Sequence, residues 1–146
     1  MTTPDPDAVR ATFEGIAPRY DLANHLLSGG LDFLWRRRLV REAMVSRTGD
    51  VLDLATGSGD VALALREVLP IDVKVTGLDF CPPMLAEAER KRIVAGHSPD
   101  SLRFVQGDCL SLDFPDDSFD LITIAFGLRN LSDRSVGLSE MQRILR

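Results

Sequence analysis

Cysteine is scarce in this chain: Cys81 and Cys109 are the only two in 146 residues. No Cys-x-x-Cys pair or Cys/His cluster exists, so no zinc or other metal site is expected. No apolar run approaches the ~18 residues a membrane-spanning helix needs. Residues 1–7 are polar and rich in Pro and Asp, without the apolar core of a signal peptide. Positive charge is also short. There are 17 Lys and Arg against 22 Asp and Glu, a net charge of -5, which argues against a surface that coats nucleic acid. The local exception, Arg36-Arg37-Arg38, reads as a solvated helix face. Together these absences point to a cytoplasmic protein with reduced thiols. What is present, 45% hydrophobic residues in 146, suffices for one domain with a real core.

The chain divides in two. Residues 1–7 read as a disordered leader. Residues 8–28 read as helical, with Val9, Phe13, Ile16 and Ala17 at helical spacing, an interruption at Pro18 and a stop at Ser28-Gly29-Gly30. A second helix is expected over 31–46, its apolar set being Leu31, Leu34, Trp35, Leu39, Ala43 and Met44. Residues 8–48 thus form an N-terminal helical segment. From residue 49 the pattern alternates. Strands are expected at 51–55, 73–78, 102–106 and 119–125, and helices at 61–69, 82–94 and 135–146. The fold class is α/β and Rossmann-like: a mostly parallel sheet with helices on both faces. Right-handed crossovers place every strand's carboxyl end on one edge.

The run Val51-Leu52-Asp53-Leu54-Ala55-Thr56-Gly57-Ser58-Gly59-Asp60 leads an apolar strand into a Gly-x-Gly turn and then a helix. Such a turn presents backbone to a small ligand. Gly57-x-Gly59-x-x-Ala62 also fits the dinucleotide fingerprint, and a tight turn with no ligand builds the same pattern. The acids flanking it, Asp53 and Asp60, suit a ligand with cationic and hydroxyl groups better than a pyrophosphate. S-adenosylmethionine, with an ammonium, a sulfonium and a ribose diol, is such a ligand.

Two more acids stand near strand ends. Asp79, 20 residues after Gly59, can accept from both ribose hydroxyls or cap the helix beginning at Pro82. Asp108 can accept from an adenine amino group while the Cys109 amide donates to the ring, or it can cap its own loop. Asp53, Asp79 and Asp108 around one pocket would repel the two phosphates of a dinucleotide.

These residues resemble class I S-adenosylmethionine-dependent methyltransferases, whose first motif matches Asp53 to Gly59. The likeness is closer to the ubiquinone/menaquinone-biosynthesis C-methyltransferases. It is carried by Phe13-x-x-Ile16-Ala17-x-x-Tyr20-Asp21-x-x-Asn24, Leu27-Ser28-x-Gly30, Trp35-Arg36 and the glycine turn. It continues through Gly77-x-Asp79, Met84-Leu85, Phe119-Asp120, Phe126-Gly127-Leu128-Arg129-Asn130 and Arg143-Ile144-Leu145. The Tyr-Asp-x-x-Asn and Phe-Gly-Leu-Arg-Asn runs are its most specific parts. Two departures stand out: the family usually has Thr where Ser58 stands, and often Ser where Ala125 stands. The fold implied usually has seven strands, of which this chain supplies about four, and relatives run on for roughly 80 residues or more. The fourth strand is then expected to be an exposed apolar edge, and residues 49–146 an incomplete cofactor domain.

The resemblance implies C-methylation of a prenylated quinol ring, demethylmenaquinol to menaquinol or the equivalent ubiquinol step, with S-adenosylmethionine as cofactor. The implied cofactor residues are Asp53, Gly57, Ser58, Gly59, Asp79, Asp108, Cys109 and Ala125. Arg129 would stabilise a phenolate, or pair with an acid on the cofactor edge. Asn130 would hold a substrate oxygen. Tyr20 would close over the site or pack as a half-buried residue. His25 is a weak candidate base, and His97, beside a Gly/Ser/Pro loop, reads as solvated. Phe13, Ile16, Leu26, Leu27, Leu31, Phe33 and Leu34 would either line an entry for a prenyl tail or pack on the sheet. Peripheral membrane contact, to reach a lipid substrate, and a homodimer are both compatible with this reading. The rivals are a nicotinamide dehydrogenase, a methyltransferase acting on another small molecule, and a non-catalytic binding module.

Overall fold

The computed structural model describes residues 31–45 and 49–146. The expected leader, the helix over 8–28, Tyr20, His25 and the entry residues Phe13, Ile16, Leu26 and Leu27 lie outside the described residues. The elements are α1 (Leu31–Val45), β1 (Val51–Leu54), α2 (Asp60–Val68), β2 (Val75–Asp79), α3 (Pro82–Val94), β3 (Leu102–Gln106), β4 (Leu121–Ile124), a 3-10 turn (Leu128–Asn130) and α4 (Arg134–Ile144).

The four strands form one sheet in the order β3-β2-β1-β4, with every pairing parallel. Alternate residues feed opposite faces, as the pleat requires. Val51, Val75 and Leu102 meet Ala62 and Leu65 of α2 and Val40 and Ala43 of α1. Leu52, Leu54 and Leu78 meet Cys109, Leu112, Phe119, and Met141 and Ile144 of α4. Burial on both faces explains why β1 is apolar at every position but Asp53.

Several expected boundaries shift for identifiable reasons. β2 begins at Val75 rather than Val73 because α2 ends in a tight cap. The buried Arg66 guanidinium donates to the carbonyls of Leu69 (2.6 Å), Pro70 (2.5 Å) and Val73. The Val73 amide turns back onto Pro70 at 3.1 Å. At the other side of the sheet, the expected strand over 119–125 loses both ends. Phe126, in a left-handed conformation (φ 62), turns the chain out just past Ala125. Phe119 pairs instead with Leu145: its amide donates to the Ile144 carbonyl (3.0 Å) and its own carbonyl accepts from Arg146 (2.9 Å). The same bridge ends α4 at Ile144, short of the expected Arg146. Beyond it the outer side of β4 carries no strand among the described residues, and Leu121, Ile122 and Ile124 are half-buried.

Other expectations are corrected outright. In α1, Leu34, Trp35 and Met44 are exposed, and the buried stripe is Val40 and Ala43, whose smaller side chains let the helix approach α2. Arg36 is no solvated charge, since it pairs with Asp60. His97 is half-buried, with a buried Nε2 that finds no hydrogen-bond partner among the described residues.

Candidate functional site

The chain moves outward from β1 to β2 to β3, then crosses back to lay β4 on the other side of β1. Such a reversal opens a crevice at the strand carboxyl ends, where open α/β sheets bind ligands. The candidate residues converge on this edge, yet they differ in what their side chains are free to do.

Asp53 sits one residue inside the edge, level with Gly77 of β2 and Thr123 of β4. It is 1% exposed. Its two oxygens accept from Thr123 Oγ1 (2.6 Å) and Thr56 Oγ1 (2.7 Å). Burial pushes its carboxyl from 3.8 up to about 6, against the two threonine bonds, and the charge of Asp79 adds to the rise. Asp53 is therefore a buried charge beneath the crevice, tying the glycine turn to β4.

The turn itself needs its glycines. Gly57 and Gly59 have φ of 56 and 83. A Cβ on Gly59 would stand 2.7 Å from Phe104 and 2.8 Å from Ala88, so its absence lets α3 and β3 close behind the turn. Ser58 is buried and its hydroxyl accepts from Lys91 Nζ (3.1 Å). Asp60 is likewise occupied: Lys91 lies at 2.7 Å and Arg36 at 3.1 Å. The sequence made Asp53 and Asp60 look like twin acids facing a ligand. The structure instead makes Asp60 a clamp that fastens α1 and α3 to the turn.

Asp79 ends β2. Its oxygens accept from the amides of Gly57 (2.8 Å) and Cys81 (3.0 Å). Both the ligand-edge and the helix-capping readings thus have geometry behind them, because the amides of Gly57, Cys81 and Phe80 leave one of the carboxylate's four lone pairs open. Burial raises its carboxyl above the ordinary value, opposed by the amides of Cys81, Gly57 and Phe80. Asp108, after β3, is exposed and gives one oxygen to the Leu110 amide (2.8 Å), leaving the other open among the described residues. Cys109 is buried against the first loop. Burial pushes its thiol up to about 11, and the Ala55 amide partly offsets this.

The loops after β1 and β4 meet. Ala55 and Phe126 both adopt left-handed backbone (φ 50 and 62), and a Cβ on Gly127 would fall 2.3 Å from that of Ala55. Left-handed non-glycine residues are costly and cluster at functional sites. Ala125 lies at this junction, half-buried. Beyond it, Arg129 and Asn130 are exposed on the 3-10 turn. An open surface cavity of about 320 Å³, a depression rather than an enclosed pocket, lies there, lined among the described residues by Phe126, Leu128, Arg129 and Arg134.

Sequence reasoning missed Thr56, Thr123, Lys91 and Arg134. Thr123 carried a signal, a lone hydroxyl within the apolar run Leu-Ile-Thr-Ile. The others carried none.

A model of the ubiE/COQ5 methyltransferase family matches residues 1–146. The demethylmenaquinone methyltransferase of Thermus thermophilus is 51% identical over 133 residues, covering 91% of this chain and 59% of that protein. Its Deinococcus radiodurans counterpart is 49% identical over 138 residues, covering 94% and 56%. The ubiquinone/menaquinone biosynthesis C-methyltransferase UbiE of Geobacter sulfurreducens is 49% identical over 142 residues, covering 96% and 54%. The chain thus spans a little over half the length of these relatives.

Among solved structures, the YcgJ protein of Bacillus subtilis superposes with a TM-score of 0.68 at 31% identity, covering 76% of this chain and 45% of that one. A putative S-adenosyl-L-methionine-dependent methyltransferase of Methanococcus maripaludis gives 0.63 at 28% identity, covering 67% and 43%. Sheet, strand-end acids and relatives agree: the fold is the Rossmann-like one of S-adenosylmethionine-dependent methyltransferases, and the chain belongs to the ubiE/COQ5 methyltransferase family.

Proposed function

We propose that this chain carries the S-adenosylmethionine site of an enzyme that methylates a ring carbon of a prenylated quinol. The reaction would convert demethylmenaquinol to menaquinol, or perform the equivalent step toward ubiquinol. The observation that carries the reading is the pairing of two sites across the β1–β4 reversal. On one side is the Asp79 carboxylate at the glycine turn; on the other is Arg129, lining a cavity with no hydrogen bond or ion pair among the described residues. Relatives about half identical over nine-tenths of the chain are named demethylmenaquinone methyltransferase, which supports the quinol as acceptor.

The residues present fit the cofactor. The open lone pair of Asp79 would take a ribose hydroxyl. The open oxygen of Asp108 would take the adenine amino group, with the Cys109 amide donating to the ring. Gly57, Gly59 and the backbone of Ser58 and Ala125 would allow close approach. Asp53, beneath the turn, would favour a cationic ligand through the low-dielectric interior without touching it. When bound, the cofactor supplies a methyl group on a sulfonium.

A ring carbon is a weak nucleophile until the neighbouring hydroxyl is ionised. The Arg129 guanidinium would hold that oxyanion, and Asn130 a second acceptor atom. Tyr20 and the N-terminal segment would close over the pair. Holding carbon and methyl in line supplies much of the rate. No helix among the described residues is long and apolar enough to cross a membrane. The lipid tail of the acceptor would be met by peripheral contact from the cytoplasmic side.

The test is incubation of the intact protein with methyl-labelled S-adenosylmethionine and either demethylmenaquinol or a demethylated ubiquinol precursor. Label is expected in the quinol ring. Failure of transfer to both quinols would refute the acceptor. A thermal shift with NAD and none with S-adenosylmethionine would refute the cofactor.

A further inference from the structure

Arg134 opens α4 and lines the same cavity as Arg129. Seven of the twelve described arginines are occupied: Arg36 holds Asp60, Arg66 caps α2, Arg90 holds Glu87, Arg92 holds Glu89, Arg103 donates to Thr76, Arg143 holds Glu140 and Asp116, and Arg146 holds Asp120, while Arg37, Arg38 and Arg41 lie exposed along α1. Arg129 and Arg134 have no hydrogen bond or ion pair among the described residues, although the chain carries a net charge of -5. The nearest carboxylate in sequence, Asp133, is turned onto the Val136 amide (3.1 Å) as the cap of α4. The remaining lining is apolar. Phe126 is 61% exposed, its side chain carried by a left-handed backbone (φ 62), and Leu128 lies beside it.

Two guanidiniums unpaired among the described residues, beside an exposed aromatic ring and a leucine, suit a flat aromatic ring bearing negatively charged oxygen. Arginine donates in a fixed fork to oxyanions and stacks on aromatic faces. We infer that Arg134 is a second acceptor-binding residue, so that the cavity is an aryl-oxyanion site with a guanidinium for each of two ring oxygens. This rests on the quinol reading and deepens it: the acceptor would be selected as a diol, with Arg129 on the oxygen next to the methylated carbon and Arg134 on the other.

The test separates binding from turnover. The probe is 4-nitrophenolate, with 4-nitroanisole as its neutral counterpart at the same alkaline pH, titrated calorimetrically into the intact protein. The phenolate is expected to bind roughly tenfold or more tightly than the anisole. Arg134→Gln should weaken phenolate binding by about tenfold, the loss of one exposed charge-assisted bond. It should leave the anisole and S-adenosylmethionine affinities unchanged, the latter showing that the variant is folded. Arg134→Lys should recover part of the loss. With a short-tailed demethylmenaquinol, Arg134→Gln should raise KM by a similar factor with little change in kcat. Equal phenolate affinities in Arg134→Gln and the parent, or equal phenolate and anisole affinities in the parent, would overturn the inference. Phenolate binding that depends on Arg134 in a protein that methylates neither quinol would support the oxyanion site while refuting the proposed reaction.

Discussion

Replacing Asp53 by asparagine tests whether a buried charge lies beneath the cofactor crevice. The carboxyl is 1% exposed and is raised from 3.8 to about 6, chiefly by burial. In the unfolded chain it ionises near ~3.9, so the folded protein holds this proton more tightly. The stability Asp53 contributes is then complete below about pH 4 and is lost as pH rises through about 6. At about 1.4 kcal/mol for each tenfold change in proton affinity, the loss amounts to about 3 kcal/mol. Asparagine keeps the shape and discards the charge, but one of the two threonine hydroxyls must turn from donor to acceptor, at a cost of about 1 kcal/mol. Asp53→Asn should therefore be about as stable as the parent at about pH 4.5 and about 2 kcal/mol more stable at about pH 8. Urea unfolding of the ligand-free intact protein across that range measures the difference. The same charge should appear in binding. A cationic cofactor favours the ionised carboxyl, so the parent's dissociation constant should rise about tenfold from about pH 7 to about pH 5, and the variant's should rise less. A stability difference that does not change with pH would refute the raised ionisation, and with it the role of Asp53 as a buried charge.

The other strand-end residues give sharper single outcomes. Asp79→Ala removes the anchor of the Gly57 and Cys81 amides as well as a ligand contact. Its S-adenosylmethionine dissociation constant should rise roughly tenfold or more by calorimetry, and an affinity equal to the parent's would take Asp79 out of the site. Arg129→Ala should lower kcat by about a hundredfold while cofactor affinity stays the same; unchanged turnover in the radiolabel assay would end its role at the oxyanion. Gly59→Ala combines a φ of 83 with a Cβ 2.7 Å from Phe104, and should lower stability by about 2 kcal/mol or more. Gly96→Ala, with a φ of 74 and nothing within 4 Å, should cost only about 1 kcal/mol. Equal urea midpoints for these two variants would show that close packing behind the turn does not constrain it.

The sheet could be read from the sequence because its evidence is local. Runs such as Val-Leu-Asp-Leu and Leu-Ile-Thr-Ile are bounded by turn residues, and a parallel sheet buried on both faces leaves few other places for them. The strand ends then placed Asp79 and Asp108 on one edge without further information. What could not be read is the partner of each charge, because partnership is made across the fold. Asp53 and Asp60 flank the same turn and look alike in sequence. Yet Asp53 is bound by a hydroxyl 70 residues away, and Asp60 by an ammonium 31 residues away. One became a buried charge that a cation can favour; the other became a clamp on two helices. The boundaries at Phe119 and Ala125 failed for the same reason, since a bridge to Leu145 and a turn at Phe126 decide them rather than hydrophobic pattern. Arg134 belongs to no motif at all and reaches the cavity only because α4 starts where the chain returns from β4. An acid or a base near a glycine turn is therefore weak evidence of ligand contact until its competing partners are known. Here that criterion leaves Asp79, Asp108, Arg129 and Arg134 with bonding capacity to spare, and makes Asp60 part of the scaffold.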